Sequence, residues 1–194
     1  TLRVALKSPL KSLQRLLKES RMRYVTGVGS RDITVEEGDV LKLIAYTLGS
    51  KGYILRSGGA KGSDTSFEEE YIKRGLKKEI YLPWNGFNGL RRGGDYYTIN
   101  NPKAEDIASN IHPYWDNLSQ GAKKLHSRNT YQVLGASLDT PSNVLVCCSD
   151  YDKYGDVKGG TRTAWMLAKE YGIPCFNIRD KEQLSKLLSI LKID

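Results

Sequence analysis

The chain is poor in cysteine and histidine and has no long apolar run. Its 194 residues include three cysteines and two histidines, and no apolar segment approaches the ~18 residues that a membrane-spanning helix needs. An odd number of cysteines, all in the apolar segments "NVLVCCSD" and "IPCFNI", favours reduced thiols over a disulfide framework. The lack of a C-x-x-C pair also disfavours a metal site. We therefore expect a cytoplasmic protein with no membrane contact, no bound metal and no cofactor.

The chain does contain an excess of positive charge. Its 30 Lys and Arg residues outnumber 22 Asp and Glu residues, which gives a net charge of +8 and an isoelectric point near 9.3. Such an excess favours an anionic partner, such as a nucleotide, a nucleic acid or a phosphorylated metabolite. It also serves solubility, and composition alone does not decide between these two interpretations.

Two regions of the chain differ in pattern. In residues 1–22, a basic segment, leucines recur at helical spacing, so we expect an amphipathic helical extension that packs on its own domain or on a second subunit. Residues 23–194 alternate apolar, β-branched segments with amphipathic ones. This alternation predicts an α/β domain of Rossmann-like architecture, a doubly wound, mostly parallel sheet of about five or more strands with helices on both faces.

Two helix starts and one interruption can be located from the residues themselves. Thr34, followed three positions later by Glu37, has the pattern of a capping box, and Ser63 or Asp64 is expected to cap the next helix. Residues 84–115, which include "NGFNGLRRGGDYYTINNP", break the alternation. A long ordered loop inside a compact domain is often functional.

Three glycine-rich loops follow predicted strands. They are "GVGSR" (27–31), "SGGAKGSD" (57–64) and "KGGTR" (158–162). A parallel sheet brings the carboxyl ends of its strands to one edge, and ligands bind there near a switch in strand order. Glycine lets backbone N–H groups face a phosphate, and a helix N-terminus adds partial positive charge. A tight turn explains any one loop, but three loops at one edge favour a nucleotide-like pocket.

The established phosphate fingerprints do not fit these loops. "SGGAKGSD" lacks the Gly-Lys-Ser/Thr ending of a P-loop. After Gly27 and Gly29, the third glycine of the dinucleotide fingerprint is replaced by Asp32. Arg56 stands where an acidic residue would hold a ribose. Ordinary NAD chemistry is therefore disfavoured.

The order of the motifs resembles that of a known superfamily. "GVGSR", "SGGAKGSDTSFE", "HSRN" and "GGTRTAWMLAKEYGIPCFNI" are similar to the SLOG superfamily of Rossmann-like nucleotide-binding domains, over about residues 24–178. "YLPW" and "HPYWDNLSQGAKKLHSRNTYQVLG" resemble its DprA (DNA-processing protein A) branch, in particular the short phage-encoded proteins. The resemblance implies a basic, glycine-lined pocket that binds nucleotide or single-stranded DNA, a recombinase as partner, and a homodimer or higher oligomer. A phage-encoded protein would act in the cytoplasm of its bacterial host.

The same resemblance implies a set of ligand-binding residues. Carried over by position, these are Gly29, Ser30, Arg31, Ser57, Gly58, Gly59, Lys61, Gly62, Asp64, Arg128, Asn129, Gly159, Gly160 and Thr161.

Three further functions remain open. The related LOG enzymes cleave the N-glycosidic bond of nucleoside monophosphates, and Arg128 stands for their arginine, but their glutamate falls on Ala164. Without that carboxylate, the remaining candidates for acid–base work are Asp64, Glu68 and Glu69. Alternatively, a phage relative could sequester a nucleotide-derived defence signal, or the chain could be an adaptor that binds through its N-terminal helix. No catalytic residue is assigned.

Cations and aromatic residues alternate in the 84–115 interruption. Such alternation suits a single nucleic-acid strand, because bases stack on rings while cations neutralise the backbone. Candidates are Trp84, Phe87, Arg91, Arg92, Tyr96 and Tyr97. Trp84 and Phe87 are equally well explained as anchors that hold the loop on the core.

Overall fold

A computed structural model describes residues 10–14, 17 and 21–194. Residues 10–14 and 17 are helical, and Leu10, Leu13 and Leu17 are exposed. The other residues of the predicted N-terminal extension lie outside the described residues, apart from residues 21 and 22. The division into an extension and a domain beginning at residue 23 stays a prediction.

Six parallel strands form a single sheet. Its spatial order is β4-β3-β2-β1-β5-β6, and each neighbouring pair is parallel. The strands are β1 (Tyr24–Gly29), β2 (Ile54–Ser57), β3 (Lys78–Tyr81), β4 (Tyr96–Tyr97), β5 (Val144–Cys148) and β6 (Cys175–Asn177). The chain fills the sheet from β1 in one direction to β4 and then returns to the other side of β1 with β5, so the strand order switches between β1 and β5.

Six helices follow residue 34. They are α1 (Val35–Ser50), α2 (Ser63–Lys73), α3 (Pro102–Ile111), α4 (Gln120–Leu134), α5 (Arg162–Glu170) and α6 (Lys181–Leu191). Leu41 of α1, Phe67 of α2 and Leu187 of α6 belong to one buried apolar cluster. Leu134 of α4 and Trp165 of α5 belong to a second cluster. The helices therefore cover both faces of the sheet, which confirms the predicted doubly wound α/β class, and the six strands agree with the prediction of about five or more.

One predicted helix cap is confirmed and one is wrong. At α1, Thr34 Oγ1 accepts from Glu37 N at 3.0 Å and Glu37 Oε1 accepts from Thr34 N at 2.9 Å, as in a capping box. Neither Ser63 nor Asp64 caps α2, because its N-cap is Gly62, at φ 80°, with no side-chain hydrogen bond. Gly62 packs so tightly on the backbone of Ser30 and Arg31 that no side chain fits there.

The interruption between β3 and α4 is ordered and builds the open edge of the sheet. It contains two short 3₁₀ turns, strand β4 and helix α3, with Asn101 as the side-chain cap of α3. Within the described part of the chain, no helix is both long and apolar enough to cross a membrane. Cys147, Cys148 and Cys175 are unbridged thiols.

Candidate functional site

A cleft of about 330 Å³ opens at the carboxyl edge of the sheet, where the strand order switches. We call it the switch-point cleft. The ends of β1 and β5, the N-terminal regions of α2 and α5, and one face of α4 form its walls. In doubly wound sheets, this is where ligands bind.

Nine of the fourteen predicted ligand-binding residues line this cleft. They are Gly29, Ser30, Arg31, Asp64, Arg128, Asn129, Gly159, Gly160 and Thr161. The remaining five do not line it, and all belong to the second glycine loop. They are Ser57, Gly58, Gly59, Lys61 and Gly62.

The second glycine loop is closed by contacts with its own neighbours. A Cβ on Gly62 would lie 2.7 Å from Ser30 O, and one on Gly59 would lie 2.8 Å from Leu90 Cδ1. Ser57 Oγ donates to Gly27 O at 2.6 Å. The Asp64 carboxylate folds back on the loop and accepts from Ala60 N at 3.3 Å. These glycines allow close packing. The Asp64 carboxylate already accepts the N–H of Ala60, so that N–H is not free for a ligand.

Arg128 and Asn129, adjacent on α4, connect the second and third glycine loops. Arg128 Nη1 donates to Gly58 O at 2.5 Å and to Tyr81 O at 3.0 Å. Asn129 Oδ1 accepts from Arg128 Nε at 3.0 Å, and Asn129 Nδ2 donates to Gly160 O at 2.5 Å. Neutral carbonyls and an amide thus hold the guanidinium in place, and its positive charge remains uncompensated by any of these partners.

Asp64 is the one acidic residue that shifts the electrostatics around Arg128. Burial raises the pKa of Asp64 to about 6, and the nearby Arg128 opposes that rise. Burial lowers the pKa of Arg128 to about 10, and Asp64 opposes that fall. At neutral pH both groups are mainly charged, and the cleft contains a buried cation facing a buried anion.

The third glycine loop differs from the second in being open. A Cβ on Gly159 or Gly160 would meet no heavy atom within 4 Å. The loop forms a 3₁₀ turn that leads into α5, and the N-cap of α5, Thr161, makes no side-chain capping bond. The first N–H groups of this helix therefore have no side-chain acceptor, and such N–H groups attract anions.

Two buried polar atoms in the cleft walls have no partner within the described chain. They are Gln132 Oε1 and Ser149 Oγ, on residues that are 1% and 3% exposed. Buried polar atoms are almost always hydrogen-bonded, so these two are available to a ligand or an ordered water. Both residues were missed at the sequence level. For Gln132 a signal existed, because Leu125, Arg128, Asn129 and Gln132 follow helical spacing and share the lining face of α4.

The lining is nearly balanced in charge, unlike the basic pocket that the family resemblance implies. Arg31, Arg128 and Lys158 face Asp32, Asp64 and Asp150. Asp150 Oδ1 accepts from Arg179 Nη1 at 3.0 Å, so a cation outside the cleft compensates its charge. Any preference for anions must then come from the placement of Arg128 and the N–H groups rather than from net charge.

Of the possible acid–base residues, only Asp64 reaches the cleft. Glu68 accepts from Tyr96 OH at 2.5 Å, and Glu69 pairs with Lys42 at 3.0 Å. Ala164 is fully buried in the apolar cluster beneath α5. Among the described residues, no group of three His, Cys, Asp or Glu side chains is placed to hold a metal.

The cations and aromatic residues of the 84–115 interruption are placed differently from one another. Tyr96 is tied to Glu68, Tyr97 stacks on Tyr81 at 5.4 Å, and Phe87 packs against the core. Arg91 and Arg92 are exposed and lie outside the switch-point cleft. Trp84 lines a separate cavity.

Comparison with solved structures finds similar folds at low sequence identity. DNA processing protein A (DprA) from Streptococcus pneumoniae matches with a TM-score of 0.47 and 14% identity, over 81% of this chain and 50% of that one. The Moco carrier protein of Chlamydomonas rheinhardtii gives 0.47 and 17%, over 87% and 86%. DNA processing protein A from Helicobacter pylori, a protein with a single-stranded DNA binding mode, gives 0.46 and 15%, over 88% and 80%.

The chain spans half the length of the S. pneumoniae protein that it matches. None of the three structures is named as a phage protein. No protein-family model and no curated protein matches the sequence. At these identities the likeness is one of fold alone.

Proposed function

We propose that this chain binds the phosphate of a nucleotide or of single-stranded DNA in the switch-point cleft. The observation that carries the proposal is the meeting of three loops around one buried arginine. Arg128 is held by Gly58 O, its neighbour Asn129 is held by Gly160 O, and the 29–31 loop lies on the same cleft.

Three features give this meeting point the chemistry of an anion site. Arg128 is 7% exposed and is fixed by neutral partners, so its charge acts in a region of low dielectric constant. The N-terminus of α5 adds N–H groups without a side-chain cap. Gln132 Oε1 and Ser149 Oγ add unpartnered polar atoms that suit a sugar or a base edge.

The size of the cleft is compatible with one nucleotide, since ligand pockets begin at about 300 Å³. This fit also favours the second candidate function, sequestration of a single signalling nucleotide. The salt dependence of the affinity distinguishes the two functions. Binding of a DNA strand weakens steeply as the salt concentration rises, whereas binding of a single nucleotide depends on salt much less. LOG-like hydrolysis has less support, because Ala164 supplies no carboxylate.

The SLOG and DprA resemblance adds finer proposals, namely a recombinase partner and a homodimer or higher oligomer. Sedimentation velocity tests the oligomer directly, and a monomer at micromolar concentration overturns it. Co-purification with a purified recombinase, in the presence and absence of oligo-dT, tests the partner.

Two lysines provide the matched test of the site. Lys158 and Lys61 are both exposed and both lie in glycine-rich loops, but only Lys158 lines the cleft. We expect Lys158→Ala to weaken binding of dTMP and of oligo-dT about fivefold and to reduce the salt slope for oligo-dT by ~0.7, the amount for one lost phosphate contact on a single strand. Lys61→Ala should leave both quantities unchanged.

Arg128→Gln should abolish detectable binding, and its melting temperature must be measured because the side chain is buried. Ligand stabilisation provides a second readout, since a ligand at 100 times its Kd stabilises the fold by about 2.7 kcal/mol. Equal losses for Lys61→Ala and Lys158→Ala would place the site elsewhere. Failure of every nucleotide and oligonucleotide to bind would falsify the proposal.

A further inference from the structure

A second cavity of about 310 Å³ lies beside the switch-point cleft. We call it the excursion cavity, because residues 82–85 and 98–100 of the segment after β3 form one wall and α4 forms the other. Its volume is close to that of the switch-point cleft.

Arg128 is the residue that the two cavities share. Its guanidinium is held by Gly58 O and Tyr81 O, and it lies 5.5 Å from the centre of the Phe87 ring. Arg128 is thus held in place while it lines both cavities. A cation that borders two neighbouring spaces is suited to a phosphate that joins two occupied units.

The excursion cavity combines an aromatic ring with positive charge. Trp84 lines it and is 38% exposed, held at its edge by Phe87 with ring centres 5.3 Å apart. Lys123, Lys124 and Arg128 line it against one acidic residue, Glu105. The charge of this lining is thus more positive than that of the switch-point cleft, where cations and carboxylates are equal in number.

One polar atom of the excursion cavity also lacks a partner. Thr98 Oγ1 is buried and has no hydrogen-bond partner within the described chain. The excursion cavity therefore offers each of the contacts that a nucleotide needs. It has a ring on which a base can stack, a polar atom for the base edge and two lysines for a phosphate.

We propose that the excursion cavity is a second nucleotide subsite, and that the ligand spans both cavities with a phosphodiester beside Arg128. The ligand therefore contains at least two linked nucleotides. This inference rests on the proposed function, because it assumes that the switch-point cleft holds the first nucleotide. A strand is favoured over two separate mononucleotides because both cavities depend on the same guanidinium.

A length series of ligands tests this inference on the full chain. The probes are dTMP, the dinucleotide pdTpdT and oligo-dT, with the corresponding uridine compounds as an RNA series, titrated by calorimetry. We expect the dinucleotide to bind about tenfold more tightly than the mononucleotide, because stacking of one further base contributes a gain of this order. Whichever series shows the larger step identifies the kind of strand, and a step in either supports the second subsite.

Trp84→Ala should remove most of the gain on going from mononucleotide to dinucleotide and leave the mononucleotide affinity within about twofold. Tyr114→Ala is the control, since Tyr114 is an exposed aromatic residue of the same segment that lines neither cavity. If Trp84→Ala perturbs folding, Lys124→Ala replaces it and should lower the salt slope for oligo-dT, while Lys181→Ala on α6 should not.

The outcomes separate the two proposals. Equal affinity for mononucleotide and dinucleotide, or two mononucleotides bound without a gain on linking, overturns the second subsite and leaves the proposed function intact. Loss of mononucleotide binding in Trp84→Ala, with folding preserved, also overturns it. Failure of every ligand to bind overturns the proposed function itself.

Discussion

The second and third glycine loops look alike in sequence and are opposite in structure. "SGGAKGSD" leads into α2 and "KGGTR" leads into α5, each with paired glycines and a lysine. In the second loop an added Cβ on Gly58, Gly59 or Gly62 would collide with a neighbour. In the third loop an added Cβ on Gly159 or Gly160 would meet nothing within 4 Å.

The difference shows that glycine serves two purposes at one edge of the sheet. The second loop uses glycine for dense packing around Ser30 and Arg128, and its own Asp64 accepts the N–H of Ala60. The third loop leaves free space beside an N-terminus without a side-chain cap. The second loop therefore contributes a fixed part of the cleft lining, through Ala60 and Asp64, and the third loop contributes an open part. Changes in the second loop should mainly affect stability, and changes in the third loop should mainly affect binding.

Gly62→Ala should produce the largest effect, a loss of about 3 kcal/mol or more in the free energy of unfolding. Its φ of 80° is unfavourable for alanine, and the new Cβ would lie 2.7 Å from Ser30 O, a backbone atom that cannot rotate away. Urea denaturation measures the loss. Gly52→Ala is the control, since its φ is 86° but nothing lies within 4 Å, so it should lose only about 1 kcal/mol. Similar losses at both positions would mean that the second loop is not packed as described.

Sequence reasoning predicted the fold because the signals are local. Apolar β-branched segments, the Thr34 capping box and the glycine turns each depend on a few neighbouring residues. The family resemblance also supplied Arg128 and Asn129, which both line the cleft. Local patterns could not tell the closed loop from the open one, because that distinction depends on residues far away in the chain, such as Leu90, Arg128 and Ser30.

The same limit explains what the sequence did not reveal. Ser149 follows β5 in an ordinary polar turn, and only the sheet topology brings it to Gln132 of α4. The excursion cavity forms between the segment after β3 and helix α4, which begins 20 or more residues later, and no periodicity links the two. Lys61 is a candidate by charge, yet it does not line the cleft.

Gly160→Ala should affect binding and spare the fold. Its Cβ meets nothing within 4 Å and its φ is not positive, so stability should stay the same or rise by up to about 1 kcal/mol through a stiffer unfolded chain. Affinity for the dinucleotide should fall about tenfold, because the methyl group occupies space through which a phosphate approaches the α5 N-terminus. Gly121→Ala, also uncrowded but outside the cleft, is the control and should leave the Kd unchanged. A stable Gly160→Ala protein with normal affinity would show that the open loop is not part of the site.

Asp64→Asn should produce the smallest effect. It tests how the charge of this second-loop carboxylate affects stability and ligand binding. Because burial raises the pKa of Asp64 from 3.8 to about 6, the folded protein holds this proton more tightly than the unfolded chain does. The stability of the wild type should therefore fall as pH rises from about 4 to about 6, and the substitution should remove that part of the slope.

The negative charge of Asp64 should also weaken the binding of an anion beside Arg128. Asparagine keeps an acceptor for Ala60 N but carries no charge, so Asp64→Asn should bind a dinucleoside monophosphate about threefold more tightly at pH 7.5. This ligand has no phosphate group that titrates near neutrality, so any pH dependence belongs to the protein. At pH 5, where Asp64 is mainly protonated, the two proteins should bind equally well. A constant ratio of affinities across this range would mean that Asp64 does not act on the ligand through its charge, and that its role is confined to holding the second loop.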